Sequence, residues 1–77
     1  MVPRLEKIDL NKRQFKTNEC THPDINAHSS YLAKINGRWH AGKFSRQHYG
    51  LNFEAVYDAG FQLDYDGWEE LYKINTK

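Results

Sequence analysis

Hydrophobic and polar positions alternate most clearly in residues 30–44. Two runs with strand character flank the dipeptide Asn36-Gly37. This pair favours a type I′ turn, because both central residues of that turn take positive φ angles. A two-residue turn also fixes the register, so Lys34 is expected directly opposite Trp39. The pattern therefore predicts a β-hairpin with one face toward the core and one face away from it.

The two faces of this hairpin differ in the apolar area that they can bury. One face carries Tyr31, Ala33, Ile35, His40, Gly42 and Phe44, and the other carries Leu32, Lys34, Trp39, Ala41 and Lys43. We assign the first face to the core, because burying one large apolar side chain stabilises a fold by roughly 1.5–3 kcal/mol. Trp39 is then half exposed. It either packs over the stem of Lys34, which is the favoured interpretation, or forms a contact in an interface.

Similar patterns continue toward the C-terminus. Residues 51–57 and 61–65 alternate as strands do, and a turn is expected at 58–60. Asp66-Gly67 predicts a second hairpin turn. The polar stretch 45–50 is interpreted as an exposed connecting loop.

The last predicted strand, residues 68–74, contains an irregularity. Trp68, Tyr72 and Ile74 share one phase of the alternation, and Leu71 does not. A β-bulge near Glu69-Glu70 would explain this, and so would a helical turn. We favour the strand.

The first 29 residues give weaker signals. Residues 4–10 fit a short strand or a helical turn, residues 11–14 a turn or short helix, and residues 17–29 a loop. The chain of 77 residues is expected to form one domain, with an irregular segment over 1–29 and a β core over 30–74. The predicted fold is mostly β, either a small antiparallel meander or a five-stranded barrel, with a loop-rich N-terminal segment.

The central hairpin also resembles a known architecture. Tyr31–Ile35, the turn, and the run Arg38–Phe44 with its Trp39 are similar to the first long hairpin of SH3-like small barrels of the Tudor type. The resemblance implies a small β-barrel. Tudor domains hold methylated lysine or arginine in an aromatic cage. The residues of a full cage cannot be assigned here, so the resemblance implies the shape rather than that activity.

Cysteine content and hydropathy limit the cellular setting. Cys20 is the single cysteine, so no internal disulfide can form, which fits a reducing compartment. No apolar run approaches the length of a membrane helix, and the first residues lack a signal-peptide core. We therefore expect a cytoplasmic protein.

Charge is distributed unevenly along a chain whose formal net charge is only +1. Residues 1–50 hold nine Lys and Arg and four acidic residues, whereas residues 51–77 hold two and six. The favoured interpretation is that the two parts neutralise each other in the fold. The alternative is a dedicated charged patch. The acidic residues of the C-terminal third could mimic nucleic acid toward a basic partner, although we favour their interpretation as a solvated face.

Metal binding and catalysis find little support in the sequence. Cys20, His22 and His28 lie close together, but structural zinc sites normally combine two ligand pairs at short spacing. Cys20 carries no recognisable nucleophile signature. Asp64 and Asp66 could form an acid–base pair, although they more simply occupy the solvent face of a strand. We expect no metal, no cofactor and no enzymatic activity.

Binding to a macromolecule is the function that remains, with a protein partner favoured. Cationic and aromatic side chains cluster on the hairpin and on the stretch that follows it, and such residues are enriched in protein interfaces. The candidate binding residues are Arg38, Trp39, Lys43, Arg46, His48 and Tyr49. Small chains of this composition are similar in style to the accessory proteins of phages and mobile elements, many of which bind and inhibit a host protein.

Nucleic-acid binding is the alternative function. Small barrels can bind single strands by stacking bases on aromatic side chains in a basic groove. The sequence pI of about 7.9 argues against it, because nucleic-acid-binding domains are usually strongly basic.

Overall fold

A computed structural model describes residues 4–56 and 60–75. The strands are β1 (Arg4–Lys7), β2 (Gln14–Lys16), β3 (Glu19–Thr21), β4 (Ser30–Ile35), β5 (Arg38–Gln47), β6 (Gly50–Ala55), β7 (Phe61–Gln62) and β8 (Trp68–Asn75). A 3-10 helix covers Leu10–Lys12. Strands account for 61% of the described residues, which confirms the mostly β prediction.

The strands form one curled sheet with the order β1-β8-β4-β5-β6-β3-β2, and β7 adds to β6 beside β3. All pairs are antiparallel except β3 and β6, which run parallel where Cys20 meets Gly50. The sheet curls into a half-barrel, so the small-barrel prediction is confirmed in outline. The described part of the chain has eight strands rather than five, because short strands also form in the N-terminal segment.

The predicted central hairpin is present with the predicted register. Lys34 lies opposite Trp39, and Ile35 lies opposite Arg38. Asn36 and Gly37 have φ angles of 52° and 79°, as a type I′ turn requires. The face that was assigned to the core is the buried one, with Tyr31, Ala33, Ile35 and Phe44 excluded from solvent.

The predicted loop over residues 45–50 is wrong. Ser45–Gln47 continue β5, and only His48 and Tyr49 form the turn before β6 begins at Gly50. Polar side chains are compatible with a strand here because alternate positions at the end of the hairpin face solvent.

The predicted loop over residues 17–29 is wrong for its first part. Glu19–Thr21 form β3, which pairs with β2 across a turn in which Asn18 has φ 70°. Cys20 and Ile25 from this segment are buried in the core. A buried cysteine behaves as a small apolar residue, and an isolated small apolar residue gives no periodic signal in the sequence.

Four aromatic rings pack together within the core. Tyr31, Phe44, Phe53 and Trp68 contact one another with ring-centroid separations of 5.0–6.0 Å. The indole N–H of Trp68 donates to the carbonyl of Gln62 at 3.0 Å. Among the described residues, every buried side-chain nitrogen and oxygen has a hydrogen-bond partner.

The last strand contains the predicted bulge. Lys34 pairs with Glu70, whereas its neighbour Ile35 pairs with Trp68, so Glu69 is the extra residue. The bulge changes the phase of the alternation, which allows both Trp68 and Leu71 to face the core.

Asp66-Gly67 forms a turn but not the predicted hairpin. The strand before it is shortened to Phe61–Gln62 and pairs with β6, whereas β8 pairs with β1 and β4. The amide of Asn36 donates to the carbonyl of Gly67 at 2.9 Å, so this turn packs against the central hairpin turn. Residues 57–59, which include most of the predicted 58–60 turn, lie outside the described residues.

Over the described ranges 4–56 and 60–75, no helix has the length and apolar character needed to cross a membrane.

Candidate functional site

The candidate site is the outer face, by which we mean the side of strands β1, β8, β4, β5 and β6 that points away from the core. The strand registers arrange its side chains in rows that cross the sheet. The central row is mostly apolar and contains Lys7, Tyr72, Leu32, Ala41 and Val56. The outer face therefore carries an apolar strip that runs from Tyr72 on β8 across Leu32 on β4 and Ala41 on β5 to Val56, which follows β6.

Tyr72 of this strip forms an aromatic pair with Trp39 from the adjacent row. Trp39 and Tyr72 project from β5 and β8, with ring centroids 6.1 Å apart and an interplanar angle of 36°. Lys34 projects from β4 between them, and its Nζ is 6.0 Å from the centroid of the Trp39 ring. The lysine stem supports the indole ring from one side, which fixes the aromatic surface that Trp39 presents to solvent.

Glu70 completes this group. The Tyr72 hydroxyl donates to a Glu70 carboxylate oxygen at 2.6 Å. This hydrogen bond is the main reason that the pKa of Tyr72 is raised above its ordinary value, and burial and the charge of Glu70 act in the same direction. The carboxylate of Glu70 therefore helps to hold the tyrosine ring in place.

Much of the apolar surface on this face is open to solvent. Trp39 is 50% exposed, Leu5 is 53% exposed and Val56 is 64% exposed, whereas Leu32 and Ile74 are half-buried. A shallow, mainly apolar depression of about 500 Å³ lies between Ile74, Ala41 and Val56. Scattered exposed apolar residues are ordinary, but a contiguous strip with a depression is typical of a contact surface.

The charge of the outer face is close to balanced. Lys7, Lys34 and Lys43 supply three positive charges, and Glu54 and Glu70 supply two negative charges. Glu54 accepts a hydrogen bond from the Ser45 hydroxyl at 2.6 Å. A nearly neutral apolar face attracts neither phosphate nor a strongly acidic surface.

The structure divides the six predicted binding residues between separate places. Trp39 and Lys43 are four residues apart on β5 and share the outer face, as the period of a strand requires. Arg38 is exposed beside the central turn, on the opposite face of the same strand. The six residues therefore do not form a single surface.

The remaining three residues lie at the far end of β5. Arg46 makes an exposed ion pair of 3.6 Å with Glu19, and the rings of His48 and Tyr49 are 5.1 Å apart. Nine residues separate His48 from Trp39, which corresponds to about 30 Å along an extended strand. The backbone carbonyl of Tyr49 accepts a hydrogen bond from the Cys20 amide at 3.1 Å, so this residue also helps to dock β3.

Several residues of the outer face were absent from the sequence-based set. Leu5, Leu32, Tyr72 and Ile74 join Trp39 only when β1, β8, β4 and β5 align. The sequence did contain a signal that Tyr72 faces outward. Because the bulge allows Trp68 and Leu71 to share the core face, the neighbours of Leu71 in the alternation, Tyr72 and Ile74, lie on the outer face. The pairing of β8 with β4 is a long-range feature that no local pattern reveals.

The groups that were considered for metal binding and catalysis lie apart from this face. Cys20 is buried, and burial raises the pKa of its thiol above the ordinary value. His22, in the predicted 17–29 loop, is also buried, and both of its ring nitrogens are hydrogen-bonded to the backbone. Asp64 and Asp66 are exposed. Within 4–56 and 60–75, no three His, Cys, Asp or Glu side chains cluster closely enough to hold a metal ion.

Comparisons with protein-family models, with curated proteins and with solved structures find no match to this chain.

Proposed function

We propose that the protein is a non-enzymatic binding module whose outer face docks on a partner protein. The contiguous exposed strip around Trp39 and Tyr72 carries this proposal. Interfaces are enriched in Trp and Tyr, and their central contacts are apolar with charged residues around them. Lys34 and Lys43 lie at the border of the strip, where they would form such a rim.

The partner class follows from the charge and shape of the face. A nucleic acid would require an excess of cations along the path of its phosphates, and Glu54 and Glu70 offset most of the lysine charge here. A protein surface with an apolar centre and mixed polar edges matches the same features without a net charge.

The biological role that we propose is that of a small accessory or inhibitor protein of the phage or mobile-element type. Its single cysteine, which can form no internal disulfide, supports action in the reducing cytoplasm. The half-barrel and its Trp-containing central hairpin support the SH3-like likeness, and many barrels of this size serve as binding modules.

Affinity capture with a matched pair of variants tests this function. Trp39→Ser removes the exposed indole from the outer face, and Phe15→Ser removes a comparably exposed ring, 66% accessible, from the edge strand β2. We expect the wild-type chain and Phe15→Ser to retain the same stoichiometric partner from a lysate of the native host. Trp39→Ser should lose at least about tenfold in affinity, the usual effect of removing a central aromatic contact.

The stability of both variants serves as the control for this experiment. Chemical denaturation should show a change of no more than about 1 kcal/mol for Trp39→Ser, because the ring is only partly packed. A partner that binds Trp39→Ser as tightly as the wild type would refute the proposed surface.

Nucleic-acid binding is the second candidate, located at the far end of β5. Arg46 has a side chain that is 72% exposed, and it lies near the paired rings of His48 and Tyr49. Fluorescence anisotropy with labelled DNA and RNA oligomers at two salt concentrations tests this candidate. Binding that weakens steeply with salt would favour it, and no binding at low salt would eliminate it.

A further inference from the structure

Strand β1 forms an open edge of the sheet. All four of its residues, Arg4–Lys7, are exposed, and β8 is the only element that it contacts within the described part of the chain. An edge strand presents unpaired N–H and C=O groups to solvent, which makes it a template for another strand.

The hydrogen-bond pattern shows which backbone groups of β1 are free to pair. The amide of Ile8 donates to the carbonyl of Leu71 at 2.8 Å, just beyond the last ladder pair, Lys7 with Tyr72. Because bonded positions alternate in an antiparallel ladder, Glu6 and Arg4 also direct their backbone groups toward β8. The backbone groups of Leu5 and Lys7 therefore point outward.

β1 can pair with the β1 of a second copy in several antiparallel registers, each centred on a different residue by a two-fold axis. The charges that come to lie opposite each other decide among these registers. Centring on Glu6 opposes two glutamates, and centring on Lys7 opposes two lysines. Centring on Arg4 opposes two arginines. All four registers pair outward-facing backbone groups, and centring on Leu5 is the one that sets each Arg4 opposite the Glu6 of the other copy.

We infer that two copies of this chain associate through β1 in the Leu5-centred register, forming a continuous sheet across the dimer. The two Leu5 residues exchange backbone hydrogen bonds. The two Arg4–Glu6 contacts fall at non-hydrogen-bonded positions, where opposite Cα atoms are only about 4.5 Å apart. On the outer face, Leu5 and Ile74 of both copies form one apolar row, since these residues are already neighbours in each chain.

The dimer interface is separate from the surface proposed to bind a partner protein. The dimer uses the strand edge, whereas the partner protein uses the centre of the outer face. Dimerisation would bring two outer faces side by side and make the module bivalent. Failure of the dimer leaves the proposed function intact, and Trp39→Ser is expected to dimerise normally.

A charge-swap experiment tests the register. Sedimentation equilibrium of the full chain is measured from roughly 1 μM to roughly 1 mM, which spans the dissociation constants of weak complexes. We expect concentration-dependent dimer in the wild type. Arg4→Glu or Glu6→Arg alone should raise the dimer dissociation constant about tenfold, because each converts two attractive contacts into repulsive ones. The double variant R4E/E6R should restore the wild-type constant.

Cysteine cross-linking provides a second, independent readout. Directly opposite residues in a bonded pair have Cα atoms about 5.5 Å apart, which suits a disulfide. Under mild oxidation, Leu5→Cys should form a covalent dimer. Phe15→Cys, exposed on the opposite edge of the sheet, should not.

Each outcome bears on the inference. Circular dichroism confirms that every variant is folded before it is compared. A wild type that remains monomeric at the highest concentration overturns the dimer. A dimer that ignores the single charge reversals, that is not restored by the swap, or that cross-links through Phe15→Cys alone overturns this register and edge.

Discussion

His22 shows how one side chain joins two segments of the loop-rich N-terminal region. Its Nε2–H donates to the carbonyl of Asp9 at 2.7 Å, and its Nδ1 accepts from the amide of Asp24 at 3.0 Å. The neutral imidazole with the proton on Nε2 satisfies both bonds. The ring thereby holds the segment before the 3-10 helix against the turn that follows β3.

We expect His22→Ala to lower the free energy of unfolding by about 2–4 kcal/mol. The substitution removes a buried ring and leaves the Asp9 carbonyl and the Asp24 amide without their partner, and each unsatisfied group costs about 1–3 kcal/mol when water cannot reach it. His28→Ala is the matched control, because His28 is exposed in the same segment and should change stability by less than about 0.5 kcal/mol. Equal urea midpoints for the two variants would contradict this role of His22.

The sequence alone did not show that His22 is buried whereas His28 is exposed. His22 and His28 both lie in a polar stretch, and nothing local tells which one is buried. The burial of Cys20 and His22 depends on β3 docking beside β6, a contact between segments about thirty residues apart. The apolar faces of the central hairpin were predictable because their signal is local.

At the scale of secondary structure, turns decide which strands meet. Asn36-Gly37 specified its hairpin because the turn type and the flanking alternation agree. Asp66-Gly67 carries the same type of signal, yet the strands on either side of it pair elsewhere. Strand β7 is too short to form a hairpin ladder, and β8 gains more by lying between β1 and β4.

At Gly50 the fold requires both a positive φ angle and the absence of a side chain. Gly50 has φ +109°, and a Cβ at this site would overlap the backbone of Cys20 where β3 joins β6. Gly37 also has a positive φ, +79°, but a Cβ there meets no atom within 4 Å. A comparison of the two glycines therefore separates the effect of a positive φ angle from the effect of close packing against another strand.

We expect Gly37→Ala to cost about 1–2 kcal/mol, the strain of a left-handed residue with a side chain. Gly50→Ala should cost roughly 2–5 kcal/mol, because steric overlap adds to that strain and displaces β3. Denaturant unfolding measures both, and hydrogen exchange should show faster exchange of the Cys20 amide in Gly50→Ala. A smaller loss for Gly50→Ala than for Gly37→Ala would contradict the close approach of the two backbones.

At the scale of the whole molecule, no element within residues 4–56 and 60–75 forms a layer over the outer face of the half-barrel. The aromatic core occupies the concave side, and the outer face keeps Trp39, Tyr72 and Leu5 in contact with solvent. The sequence predicted Trp39 and Lys43 on this face, but it could not assemble the strip, because Tyr72 comes from a strand that lies far from the central hairpin along the chain. Arg46, His48 and Tyr49 were grouped with them because they are neighbours in sequence, although an extended strand separates such neighbours by tens of ångströms.

Fluorescence quenching of Trp39 tests the central claim most directly. Trp39 is 50% exposed and Trp68 is 9% exposed, so acrylamide should quench mainly Trp39 in the free protein. Trp39→Phe defines the signal of Trp68 alone. With the captured partner bound, we expect quenching of the wild-type chain to fall to that of the Trp39→Phe baseline, because the outer face is covered. Unchanged quenching of Trp39 in a saturated complex would show that the partner binds elsewhere and would contradict the account.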